Sequence, residues 1–157
     1  MLGTRTIENP DQMHELGLEL GKALRAGDVL VLTGPLGAGK TTLTRGIGEG
    51  LGVRGPVTSP TFVLARTHPS LVDGPPLVHV DAYRLNSAVE LDDLDIDFAH
   101  SVVVVEWGAG MLEGIVDSWL DVVIERPEGA NAGELGEELI EPRIVTLTGH
   151  GERWEAA

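Results

Sequence analysis

The chain has 157 residues, 42% hydrophobic and 23% charged, the length of one ordinary domain and the composition of a soluble globular protein rather than a disordered or fibrous one. Its net charge of −14 works against broad direct contact with nucleic acid, whose affinity comes mostly from Lys and Arg on phosphate, and the absence of cysteine excludes disulfides, thiolate catalysis and zinc-thiolate sites. No window approaches the roughly 18 consecutive apolar residues of a membrane span, and "MLGTRTIENPDQ" lacks the basic-then-apolar order of a signal peptide, so residues 1–157 read as a single cytoplasmic domain with no membrane association.

Residues 11–26 carry Met13, Leu16, Leu20 and Leu24 at helical spacing, with Pro10 before and Gly27 after, which predicts an amphipathic helix. "DVLVLT" (28–33) reads as a buried strand, and "TTLTRGIGEGL" (41–51) as a helix weakened by its glycines. "TFVLART" (61–67) and "PLVHVD" (76–81) read as strands around the Pro- and Gly-containing loop "HPSLVDGPP", and residues 87–100 as short helical turns. "VVVVE" (102–106) is a further strand, followed by a helix or turn around Met111–Val116 and by strands over 119–125 and 143–149. The acidic, glycine-rich stretch 126–141 reads as a solvated connection. Strands alternating with helices predict an α/β fold: a P-loop NTPase domain with a mostly parallel sheet flanked by helices.

"GPLGAGKT", Gly34 to Thr41, matches G-x-x-x-x-G-K-[ST], and it sits between a predicted strand and the start of a helix. A chance match in a chain of this length is on the order of 1% at average residue usage, and the strand-loop-helix context makes chance rarer still. Gly37 and Gly39 would let the backbone curl so that successive N–H groups point inward at phosphate oxygens, and the helix N-terminus adds its positive dipole end. Lys40 would reach the β- and γ-phosphates and the Thr41 hydroxyl would ligate Mg²⁺. Only Lys22 and Lys40 are lysines and neither follows an asparagine, so the Asn-Lys-x-Asp guanine reader is absent and ATP is favoured by default.

Ligands of open parallel sheets bind outside the carboxyl ends of the strands. "PLVHV" ends at Asp81 and "VVVV" at Glu106, so if both strands run parallel to the first, two carboxylates face the phosphate loop, to hold Mg²⁺ or orient water. His79 reads as structural, Arg84 as a phosphate partner or a structural ion pair with nearby acids, and Trp107 as either a stacking or a core aromatic. "VTSPTF" (57–62), with Thr58, Ser59 and Thr61, occupies the position of a segment that senses the γ-phosphate.

"LTGPLGAGKTTLTRGIGEGLG", "VTSPTF", "HVDAYRL", "ELDDLD" and "VVEW", in this order, resemble the TsaE family, the small ATPases of bacterial tRNA threonylcarbamoyladenosine biosynthesis, over about residues 4–125. The resemblance implies a Mg²⁺-dependent ATPase, weak alone, acting on the complex of TsaB and TsaD, with tRNA contacted only indirectly. By motif it implies phosphate binding by Gly37–Thr42, Mg²⁺ binding by Thr41, Glu106 and Asp81, and a catalytic set of Lys40, Asp81, Glu106 and the switch residue Thr61. Members often carry a further acidic residue just after the Glu-Trp pair, where this chain has Gly108 and Ala109, with Glu113 the nearest carboxylate. The other readings are a small P-loop kinase acting on a metabolite, which the absence of an arginine-rich lid disfavours, and a nucleotide-dependent binding module.

Overall fold

The computed structural model describes residues 3–34, 39–53, 65–81, 96–106, 112, 115–125 and 142–155. In chain order its elements are β1 (Gly3–Ile7), α1 (Pro10–Ala23), β2 (Val29–Thr33), α2 (Lys40–Leu51), β3 (Ala65–His68), β4 (Leu77–Asp81), β5 (Val102–Glu106), β6 (Trp119–Glu125), β7 (Arg143–His150) and α3 (Glu152–Glu155). The strands form one seven-stranded sheet in the order β1-β7-β6-β2-β5-β4-β3. The four central strands, β6, β2, β5 and β4, are mutually parallel, while β1, β7 and β3 add antiparallel edges.

The centre of the sheet follows directly from the residues. β2 and β5 are apolar at successive positions because central parallel strands are covered on both faces, and Val29–Leu32 and Val102–Val105 are all buried. Alternation sorts the side chains. Leu30, Leu32, Val102, Val104 and Leu77 join the core cluster that includes Leu16 and Leu20 of α1 and Leu43 and Ile47 of α2. Val29, Val31, Val78, Val80, Val103 and Val105 form the other cluster, with Leu112 and, partly buried, Ile96, Phe98 and Trp119.

α1 starts one residue earlier than its periodicity predicts, with Pro10 inside the first turn. Asn9 caps it by accepting from the Gln12 N–H at 2.9 Å, and the Gln12 side chain accepts in return from the Glu8 N–H. The helix ends at Ala23 rather than 26, since Leu24 is already extended. Asp28 falls outside β2: its carboxylate accepts from the Arg25 N–H and from the Arg153 guanidinium on α3, which ties the C-terminal turn to the start of the central strand.

The glycines of α2 have a packing role. Gly17 and Gly21 of α1 face Gly46 and Gly50 of α2, so closely that a methyl group at Gly17 would lie 2.7 Å from Gly46 Cα and one at Gly21 2.8 Å from Gly50 Cα. Each would also meet a carbonyl of the other helix, Leu43 O and Ile47 O respectively. Helix propensity favours alanine over glycine by about 1 kcal/mol, but overpacking a tight contact costs about 1–3 kcal/mol. Gly46→Ala is therefore expected to lower the thermal midpoint by several degrees; a raised midpoint in a calorimetric scan would show that propensity, not packing, sets that position.

Among the described residues, no helix is long and apolar enough to cross a membrane. The predicted helical turns over 87–95, the connection 126–141 and the start of the 61–67 strand lie outside the described residues.

Candidate nucleotide site

β2 delivers Gly34 at its carboxyl end, and α2 opens with Lys40. Gly39, the N-cap, has φ 109°, a left-handed backbone that glycine adopts without steric penalty, and it offers no side chain to cap the first N–H groups of α2. The first turn also carries no acidic residue. A helix start with a positive dipole end, whose N-cap residue has no side chain and whose own first turn has no carboxylate, suits a phosphate group.

Lys40 is buried, and its Nζ donates to the Gly34 carbonyl at 2.6 Å, drawing the end of β2 to the start of α2. Burial lowers its pKa below the usual lysine value; Glu106 first and Asp81 second oppose that shift by attraction. Those two carboxylates belong to neighbouring parallel strands and are register partners, Asp81 opposite Glu106, while Leu32 of β2 is opposite Glu106 on the other side. Both share the α1/α2 face of the sheet, being in step with Leu77 and with Val102 and Val104. The structure thus brings Lys40, Asp81 and Glu106 to one end of the sheet.

Thr41 and Thr42, both half-buried, occupy the first turn of α2. Gly37, Ala38, Thr61, Arg84, Trp107 and Glu113 lie outside the described residues. Among the described residues, no group of three His, Cys, Asp or Glu side chains is arranged to cage a metal. The Thr41 hydroxyl and the Asp81 and Glu106 carboxylates are hard oxygen donors, the kind that Mg²⁺ takes alongside phosphate oxygens and water.

The family model for threonylcarbamoyl adenosine biosynthesis protein TsaE matches residues 7–149. The chain belongs to the TsaE family. Among its TsaE relatives, the tRNA threonylcarbamoyladenosine biosynthesis protein TsaE of Streptomyces coelicolor is 60% identical over 148 residues, covering 92% of this chain and 95% of the relative. The protein of that name from Bacillus subtilis is 37% identical over 154 residues, covering 96% and 87%. A crystal structure of Bacillus subtilis YdiB superimposes with a TM-score of 0.70 at 31% identity, covering 98% of this chain and 88% of that one, in keeping with a P-loop NTPase-type α/β fold.

In this TsaE chain a buried imidazole contacts Glu106. His79, on β4, is fully buried and hydrogen-bonds through Nε2 to Glu106 Oε2. Residues two apart on a strand share a face, so His79 is on the side of Asp81.

Proposed function

We propose that the chain binds and hydrolyses ATP with Mg²⁺, and that it does so on the TsaB/TsaD complex to support threonylcarbamoylation of the adenosine beside the tRNA anticodon. The observation that carries the nucleotide part is Lys40 at the start of α2, bonded to Gly34 and attracted by Glu106 and Asp81. Family membership supports the pathway, and the net charge of −14 fits a protein that engages partner proteins instead of gripping tRNA. The cysteine-free sequence fits the reducing cytoplasm.

In this reading the first-turn N–H groups of α2 cradle phosphate oxygens and Lys40 exchanges the Gly34 carbonyl for the β- and γ-phosphates. Thr41, Glu106 and Asp81 would hold the Mg²⁺, which when bound neutralises charge on the phosphates. At the same end of the sheet, either carboxylate would also be placed to orient the attacking water. Thr61 would sense the γ-phosphate from the segment 57–62.

Mixing the purified chain with TsaB and TsaD tests the partner part. Co-elution of the three proteins and ATP hydrolysis faster than that of the chain alone are the expected results. No co-elution together with transfer of the γ-phosphate to a small metabolite would replace this reading with a kinase.

A further inference from the structure

We infer that His79 is a positioning residue for Glu106, holding one carboxylate oxygen so that the other is presented to the nucleotide-bound Mg²⁺. The inference rests on the proposed reading of Glu106 as a carboxylate that serves Mg²⁺ and nucleotide.

β4 reads Leu77, Val78, His79, Val80, Asp81, and the polar side chain in its middle is fully buried. Its sheet neighbour on β5 is Val104, and the equivalent strands β2 and β5 are apolar until their ends. Burying an imidazole there is unfavourable unless a hydrogen bond offsets the lost hydration. The bond that does so is Nε2–H donating to Glu106 Oε2, whereas Nδ1 has no partner among the described residues. All the polar bonding of this ring is therefore directed at one carboxylate. A carboxylate has two oxygens and a free terminal torsion. Fixing Oε2 removes that freedom and leaves Oε1 uncommitted to the imidazole.

The arrangement is economical in sequence. On one face, β4 supplies Asp81 directly and, two residues earlier, the group that orients its neighbour's carboxylate. Outer partners of this kind tune ligands without touching the ion, and their loss typically costs 10–100-fold in metal affinity or activity.

Two substitutions separate orientation from mere filling of space. His79→Leu keeps the volume apolar and removes the donor; His79→Gln keeps an amide N–H at about the reach of Nε2. Binding of the non-hydrolysable analogue AMP-PNP, measured in EDTA and across a Mg²⁺ titration, is read beside ATP hydrolysis with TsaB and TsaD present. His79→Leu is expected to bind AMP-PNP normally in EDTA, to need roughly tenfold or more Mg²⁺ for half-maximal effect, and to hydrolyse roughly 10–100-fold more slowly. His79→Gln should recover most of both losses. A wild-type Mg²⁺ requirement in His79→Leu overturns the inference, and so does an equal loss in both variants. Should His79→Leu fail to fold, His79→Asn replaces it, since its shorter amide falls back toward Nδ1 and the same loss is expected. Glu106→Gln runs in parallel: a normal Mg²⁺ requirement there overturns the reading of Glu106 itself, whereas a defect there with none in His79→Leu overturns the role of His79 alone.

Discussion

Lys40→Ala is expected to weaken ATP binding by at least about 100-fold, because a lysine that reaches two phosphates makes two charge-assisted hydrogen bonds at about 1.5–3 kcal/mol each. Equilibrium binding of a fluorescent ATP analogue measures it directly, and wild-type affinity in the variant would remove the phosphate role assigned to this residue. The buried environment adds a pH dependence. Since burial lowers the pKa of Lys40 below the usual lysine value, the ammonium loses its proton earlier than an exposed lysine as pH rises. Affinity should fall first on the alkaline side, and the alanine variant should lack that limb.

Removing Glu106 gives the second large effect, on hydrolysis. Loss of a group that stabilises developing charge or orients water typically costs about 100–1,000-fold in kcat, so Glu106→Ala should retain nucleotide binding at neutral pH and lose turnover, with Asp81→Ala acting in the same direction. Phosphate release measured separately from binding distinguishes the steps; wild-type hydrolysis by Glu106→Ala would mean that the site is wrongly drawn. Glu106 is the larger of the two attractions that hold the Lys40 pKa up. Its removal leaves burial less opposed, lowers that pKa further, and shifts the alkaline limb of binding toward lower pH. Asp81→Ala should shift it less. A limb that stays in place or moves upward would show that these carboxylates are not the counter-charge of Lys40.

Much of this site was legible because its chemistry is written in short local patterns whose positions the fold then aligns. Buried parallel strands declare themselves by unbroken apolar runs, so β2 and β5 and the carboxylate ending β5 could be read directly. β1 gives no such signal, because the edge strand Gly3–Ile7 buries only Ile7 fully and has no apolar face to reveal it. α3 is only four residues long, too short for a helical period, and it is held by Arg153 on Asp28, a contact between positions 125 residues apart. His79 hid for a related reason: a polar residue inside a strand gives no sign of which neighbouring strand supplies its partner. The weakness that propensity gives Gly46 and Gly50 is local and so legible, whereas the close approach of α1 that leaves them no room is not.

That close approach of α1 and α2 inverts a common rule of protein engineering. Replacing helical glycines by alanine is a standard route to thermostability, yet here the positions that propensity would select first are those with no room. Gly17 with Gly46, and Gly21 with Gly50, each share one gap between two backbones, so substitutions within a pair are coupled and their effects should not add. A lineage that admitted a side chain at one member would first have to move the helices apart. The helix that would move is the one whose first turn begins at Lys40.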